Sequence, residues 1–343
     1  MTFVTHFANW GPRVSGMYES VKDQIKYERK EGLRSEMIDA YKSEPLESQV
    51  DGWLRPITWE EAKKADVWVL HSKFPDELKQ MGKNKVRIAV LHGPTEHMML
   101  KEWGKLGGSL NLHINLLWEM DATICINQHE YDIMKFYDEK KGSCRYIPNS
   151  IDLERFDNVV PWEYENHPAI ISCDTPRFEK LPLHIIWAMP SLQDLVPGAM
   201  LNLFSLLLEP IGIWRNVFCR SKQWQLEKCC ENIQLANRNL RPFQAGADIG
   251  FNNNYSGIAS RVTMELMALG VPVVSYGGDY TEYHAKIFDL QSIAKQLAKC
   301  WRDLTAKGST LKKDTLKYAK ENFDRGKMVK KYVALYQELL GGK

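Results

Sequence analysis

One stretch limits what this chain can fold into more than any other: Ser256-Gly-Ile-Ala-Ser-Arg-Val-Thr-Met-Glu-Leu-Met-Ala-Leu-Gly-Val-Pro-Val-Val-Ser-Tyr276. Ser256, Gly257 and Ser260 supply a permissive backbone and capping hydroxyls just ahead of the apolar positions Val262, Leu266, Met267 and Leu269, which predicts a helix starting near Ser260. Gly270 follows the last periodic residue and ends that helix. Val271-Pro-Val-Val-Ser is then a short apolar run of the kind found in parallel strands covered on both faces. A loop leading into a helix leaves first-turn N–H groups and a partial positive charge facing the loop, an arrangement that favours a phosphate. Glu265 lies one turn above. A carboxylate in so apolar a helix needs a partner; a ribose diol is one candidate, and plain exposure on the surface of a Rossmann-like helix is the other reading.

At 343 residues the chain exceeds one typical core and suits two domains of about 150–170 residues each. With 44% hydrophobic and 26% charged residues it belongs with ordinary globular proteins, not disordered or fibrous ones. A net charge of +2 argues neither for nor against a polyanionic partner. The seven cysteines are odd in number and show no C-x-x-C pair or histidine at metal spacing, which fits reduced thiols and leads us to expect a cytoplasmic location. Residues 1–7 lack the basic and long apolar regions of a signal peptide. The longest mostly apolar run, residues 199–208, is well short of the roughly 20 residues a membrane span needs, so no transmembrane segment is expected.

Along the chain, residues 2–7 read as a strand, 8–16 as a loop with two glycines, and Met17, Val21 and Ile25 as one face of a helix ending at Gly32. Further βα units follow: a strand at 34–40, a short helix at 59–64, strands at 66–71 and 86–92 around a helix at 75–80, a helix at 111–119, a strand at 122–127 and a helix at 129–138. His71, His92 and Gly93 fall at the carboxyl ends of strands, where open α/β sheets bind ligands. His92 reads either as a hydrogen-bonding group at a reaction centre or as a strand-end histidine capped by backbone. The charged segment 157–167, with Pro161, reads as a linker. A second βα series comprises a strand at 169–173, a polar loop at 174–180, a helix at 183–189, a strand at 200–204 and a small-residue helix end running into a strand at 243–251. Residues 205–234 support no single reading. A helix at 290–304 and one long closing helix from about Lys313 to Leu340 finish the chain. The expected fold class is α/β, with two Rossmann-like doubly wound domains at 1–157 and 158–325 and the end of the chain, from about 326, packing back on the first. Residues 307–331 hold nine Lys/Arg against three acids. A solvated helix face is one account of them, and contact with anionic lipid or nucleic acid is the other.

Ile147-Pro-Asn-Ser-Ile-Asp152 with Phe156, Gln244-Ala-Gly-Ala-Asp248, Glu265-Leu-Met-Ala-Leu-Gly-Val-Pro-Val-Val274 and Tyr336-Gln-Glu-Leu-Leu340, in that order and spacing, resemble the GT-B glycosyltransferases. The likeness is to their large retaining, nucleotide-sugar-dependent family, glycosyltransferase family 4, and spans nearly the whole chain. Ser150 replaces a glycine and Leu266 an alanine of the family pattern. The resemblance implies two domains facing a cleft, with the donor on the second and the acceptor on the first. It implies that Glu265 holds the ribose hydroxyls of the donor nucleotide, that Arg177 and Lys180 grip the diphosphate, that Gly16 lets backbone approach the phosphates and that His92 lies near the reacting sugar. The residues expected to bind the donor are Gly16, Arg177, Lys180, Tyr255, Ser256, Gly257, Ser260, Arg261, Val262 and Glu265; those expected to act in catalysis are His92, Arg177 and Lys180. One departure stands out. Gly257 occupies the position at which the family usually carries a glutamate touching the donor sugar, so Asn252, Asn253, Asn254 or Tyr255 would make those contacts, or the sugar is presented differently.

The implied reaction is front-face, retaining transfer from a nucleotide-diphosphate sugar, the sole co-substrate, with no cofactor. Two fixed cations and helix-start amides stabilise a departing diphosphate more in the transition state than in the ground state, which needs neither a metal nor a carboxylate nucleophile. No Asp-x-Asp motif is present. A glycan or lipid acceptor is expected. His92-Gly-Pro-Thr-Glu-His97 also resembles an element of small phage-type members that glycosylate hydroxymethylated bases, which makes DNA the alternative acceptor. A nucleotide-sugar-binding protein without catalysis is the alternative of another class, and the basic closing segment leaves a peripheral membrane contact open.

Overall fold

The computed structural model describes residues 1–8, 16–39, 53–54, 56–71, 85–92, 118–173, 180, 183–204, 230–234 and 239–342. The helix expected at 75–80, most of that at 111–119 and residues 205–229 lie outside them. The chain divides into two compact units, Met1–Asp152 with Asp324–Lys343, and Leu153–Phe323.

The first unit is built on a six-stranded parallel sheet. Its strands are β1 (Phe3–Ala8), β2 (Arg34–Asp39), β3 (Val67–Leu70), β4 (Val86–Leu91), β5 (Ala122–Cys125) and β6 (Cys144–Tyr146), in the order β2-β1-β3-β4-β5-β6. β1, β3 and β5 are buried along their whole length, as parallel strands covered on both faces must be. The chain leaves β1 for β2 on one side and returns to β3 on the other, so the winding reverses between β1 and β3. Helix α1 (Gly16–Lys30) presents Tyr18, Val21 and Ile25 to the core, but it also buries Lys22, Asp23, Gln24 and Glu28. A short helix α2 (Trp59–Ala62) precedes β3, and α3 (Gln128–Phe136) follows β5, capped by Asn127.

The second unit has five parallel strands, β7 (Ala169–Ser172), β8 (Met200–Phe204), β9 (Cys230–Gln234), β10 (Ile249–Asn252) and β11 (Val273–Ser275), in the order β11-β10-β7-β8-β9. Here the winding reverses between β7 and β10. Its described helices are α4 (Leu183–Leu195), α5 (Arg241–Gly246), α6 (Arg261–Ala268), α7 (Leu290–Thr305) and α8 (Leu311–Asn322), after a 3-10 turn at Leu153–Phe156. Its core joins Ile185, Ile186 and Met189 of α4 to Leu201, Ile249, Phe251, Val274, Ile293 and Leu297.

Three expectations are corrected. The single closing helix is two helices: α8 stops at Phe323, and Asp324 caps a new helix α9 (Arg325–Gly341) by accepting from the Gly326 N–H at 2.8 Å. Apolar periodicity runs through the break, so only the capping aspartate marks it. α9 belongs to the first unit, where Met328, Tyr332, Leu335 and Tyr336 cover Val4, Val69 and Ile88. Helix α4 runs on to Leu195 with Pro190 inside it. The segment read as a linker is packed onto the second unit: Trp162 N–H donates to Pro242 at 2.9 Å, the Tyr164 hydroxyl to Phe243 at 3.0 Å, and His167 bonds Asp248 at 2.6 Å.

Candidate functional site

In the second unit the turn that carries Tyr255, Ser256, Gly257 and Ser260 follows β10 directly, beside the carboxyl end of β7. Asn253, just past β10, donates from Nδ2 to the Ser172 hydroxyl that ends β7, at 2.6 Å, so the two strand ends are tied together. From this edge leave the segment after β7 that carries Lys180 and the turn 253–260 that enters α6. It is the reversal point of the sheet, where ligands of open α/β sheets bind. Arg177 lies outside the described residues.

Ser260 caps α6 as the sequence predicts, with extended backbone and Oγ accepting the Thr263 N–H at 3.2 Å. Gly270 takes φ +75° behind the helix. The turn before α6 is built by asparagines: Asn252 Oδ1 accepts the Asn254 N–H at 3.1 Å, and Asn254 Oδ1 accepts the Ser256 hydroxyl at 2.8 Å. Gly257 has φ +66°, and a Cβ there would lie 2.8 Å from the Gly277 backbone. No glutamate fits without moving that backbone. Nor do Asn252 and Asn253 face outward, since both are buried and bonded within the unit. Tyr255 is half-buried; burial pushes its hydroxyl up to about 12, and it shares a 3.1 Å hydrogen bond with His184 Nδ1 of α4. Burial also lowers His184 below the usual histidine range.

Glu265 faces two donors. Arg261 Nε reaches its Oε1 at 2.9 Å, and Gln244 Nε2 of α5 reaches Oε2 at 3.3 Å. Its side chain keeps 20% exposure, and two donors leave about half of a carboxylate's lone-pair sites for hydroxyls. Beside it the buried Gln244 Oε1 has no hydrogen-bond partner among the described residues. Gln244 therefore belongs with this site, as a positioned amide presenting an acceptor. Val262 is partly buried next to Arg261.

In the first unit, Gly16 opens α1 and is exposed, while the glycine loop at 9–15 before it lies outside the described residues. His92 follows β4 and is partly buried; Gly93 and the rest of the 92–97 element are not described. Among the described residues no backbone group caps the His92 ring. Its Nε2 meets His71 Nδ1 at 2.8 Å, His71 Nε2 meets His6 Nδ1 at 3.0 Å, and His6 Nε2 meets Glu28 Oε2 at 2.8 Å. Burial, with the Arg325 charge, lowers His92 to about 4. Burial and the neighbouring His92, His6 and Arg325 hold His71 well below its usual range. Sequence reasoning missed His6 and Glu28; the one signal was a histidine among the apolar residues of β1. The Ile147–Asp152 element serves architecture: buried Asp152 accepts from Lys26 at 2.6 Å and from the Tyr27 hydroxyl at 2.9 Å, anchoring α1.

The eight lysines of the basic closing segment are exposed, whereas Arg325 is buried and donates to the Ser20 hydroxyl at 2.6 Å. Among the described residues no helix is long and apolar enough to cross a membrane, and no group of three His, Cys, Asp or Glu is arranged to hold a metal ion.

No family model matches the sequence, and no curated protein matches it either. Solved structures do match over the whole chain. Sucrose-phosphate synthase from Thermosynechococcus elongatus superposes with a TM-score of 0.77 at 15% identity, covering 100% of both chains. HepE from Anabaena, in complex with UDP and glucose, gives 0.74 at 14% identity, covering 98% of this chain and 100% of its own. The fold is GT-B. A glycosyltransferase from Rickettsia africae shares it with a TM-score of 0.73 at 14% identity, covering 100% of this chain and 99% of its own. Identity this low carries the GT-B architecture and nothing about substrate; the chemistry has to come from the site.

Proposed function

We propose that this GT-B protein is a glycosyltransferase that moves a sugar from a nucleotide-diphosphate sugar to an acceptor hydroxyl, with retention. One observation carries the reading. At the reversal point of the second sheet, the Lys180 segment and the capped start of α6 leave the same edge, and Glu265 stands one turn further with Gln244 beside it. The first-turn amides of α6 and the Lys180 ammonium suit a diphosphate, and the Glu265 carboxylate, with the buried Gln244 amide oxygen that has no partner among the described residues beside it, suits a ribose diol. Arg177 is assigned to the same diphosphate on the sequence resemblance. As the sugar–phosphate bond loosens, negative charge grows on the departing diphosphate, and donors already fixed in place stabilise it most in the transition state. A phosphate oxygen then takes the acceptor proton, and the Arg177 and Lys180 cations supply the charge stabilisation that a metal would otherwise provide. Gly257 removes the usual carboxylate contact to the sugar; Asn254 and Tyr255, the latter held against His184, are the partly exposed members of the expected set left to meet it.

A glycan or lipid hydroxyl is the proposed acceptor. The exposed lysines favour DNA as a second reading, and the two separate by salt: transfer to DNA weakens steeply as salt rises, whereas transfer to a neutral glycan does not. The reading as a whole is tested by mixing the protein with UDP-, GDP-, ADP- and dTDP-sugars and measuring nucleoside diphosphate release with and without acceptor extracts. Release from one donor class supports it. Tight nucleotide binding with no release, hydrolysis included, would instead make this a nucleotide-sugar-binding protein.

A further inference from the structure

We infer that Glu28, His6 and His71 form a buried proton relay that sets the protonation state of the outer nitrogen of His92. Its catalytic consequence rests on the proposed transferase function; the relay itself rests on hydrogen bonds in the first unit.

The direction of every bond follows from its inner end. Glu28, on α1, is fully buried, and four donors reach its two oxygens: Gln24 Nε2 at 2.9 Å and the Tyr336 hydroxyl at 2.8 Å on Oε1, the Ser35 hydroxyl at 2.6 Å and His6 Nε2 at 2.8 Å on Oε2. These fill the lone-pair sites of an ionised carboxylate. Burial pushes the Glu28 carboxyl up, but the facing His6 and the hydroxyl donors outweigh it and hold the group below the usual carboxylate range. His6 must therefore donate from Nε2.

With His6 neutral, its Nδ1 is bare and accepts from His71 Nε2; His71 Nδ1 is then bare and accepts from His92 Nε2. All three rings carry one proton on Nε2, and His92 Nδ1 is a lone pair with no partner among the described residues. When a proton arrives on His92 Nδ1, the Nε2 proton of His92 passes to His71 Nδ1 and the Nε2 proton of His71 to His6 Nδ1. One proton is bound, and the single positive charge rests on His6, 2.8 Å from the Glu28 carboxylate. Both ring-to-ring bonds reverse, and His92 now presents an N–H donor.

The surroundings favour the charge at the inner end. Glu28 from α1 and Arg325, Tyr332 and Tyr336 from α9 are charged or titratable groups that face the relay. Arg325 opposes a cation on His71 and His92. Burial, with Glu28 alongside, keeps the Tyr336 hydroxyl neutral, and burial does the same for Tyr332. His6 and His71 are buried while His92 is partly exposed, so the relay has one opening. Its three inner members are positioning residues for His92, which thereby switches between acceptor and donor without itself holding a charge.

The test is histidine nitrogen NMR on the full chain across pH, reading which nitrogen of each ring is protonated. At the high-pH end, Nε2–H is expected on His6, His71 and His92. As pH falls, His6 Nδ1 and His92 Nδ1 should gain protons along one common curve. Glu28→Gln, which removes the opposing charge, should move that curve down by about one pH unit or more. Ser35→Ala, which takes one donor from a carboxylate that stays ionised, should move it up, and this milder variant decides the matter if Glu28→Gln does not fold. Separate curves for His6 and His92, or a common curve that neither folded variant shifts, would overturn the relay. If sugar transfer is measurable, the acid limb of kcat should shift with the same curve in Ser35→Ala; an unmoved limb would overturn the catalytic half alone. If no donor is turned over, the transferase reading fails while the NMR result still decides the relay.

Discussion

Asn253 and Ser172 share a 2.6 Å hydrogen bond that joins the ends of β10 and β7. The bond fixes the edge from which both the Lys180 segment and the entry to α6 depart, at the point where the second sheet reverses its winding. In the proposed reading, the Lys180 cation and the start of α6 bring two sources of positive potential to one ligand there.

Lys180→Ala should lower kcat by about a hundredfold or more, the usual effect of losing a preorganised group that stabilises charge developing on a leaving group. Arg177→Ala should do the same. Steady-state kinetics with saturating donor checks both, and unchanged turnover in both would remove them from the reaction.

Gly257→Ala should destabilise the protein by roughly 1–3 kcal/mol, because an L-residue is strained at positive φ and its methyl would press on Gly277. Urea unfolding measures this. Wild-type stability in the variant would mean that the 256–258 turn differs from the one described.

Ser260→Ala removes the hydroxyl that accepts the Thr263 N–H, and should cost about 1 kcal/mol of stability, the common loss for an N-cap serine. Donor affinity should fall with it, since the capped turn is the one assigned to the diphosphate. Equal stability of variant and wild type would argue that the cap contributes nothing to α6.

Stability should decline as pH falls from neutral toward about 4. His92 is lowered to about 4 and His71 lies well below its usual value, so the unfolded chain takes up protons near pH 6.5 that the folded chain refuses. The stabilisation is present above the unfolded value and is lost as pH drops through the folded one. Urea midpoints at pH 7.5, 6, 5 and 4.5 check the trend; a flat profile would contradict buried neutral histidines.

Much of the second unit was legible in the sequence because its signals are local. A serine cap, an apolar stripe, Gly270 and a valine-rich run each act within a few residues of themselves. Doubly wound sheets were expected, but the strands between which the winding reverses were not legible: strand order depends on contacts between β7 and β10, 79 residues apart at Ile170 and Ile249. Glu28 lies in the charged run Lys26-Tyr-Glu-Arg-Lys30, yet it is fully buried. Only the distant His6, Ser35 and Tyr336 make that burial tolerable. Gly257 was read as a lost glutamate; the approach of Gly277 makes it a steric requirement instead. The break between α8 and α9 was hidden because hydrophobic periodicity is indifferent to a one-residue cap.

The central claim is that a nucleoside diphosphate binds at α6 with Glu265 on its ribose, and calorimetric titration of UDP, GDP, ADP and dTDP into wild type and Glu265→Ala tests it most directly. One diphosphate should bind wild type at a single site and bind the folded variant about tenfold or more weakly, as expected for losing hydrogen bonds to a charged group. Failure of all four to bind wild type, or equal affinity for the variant, would contradict it.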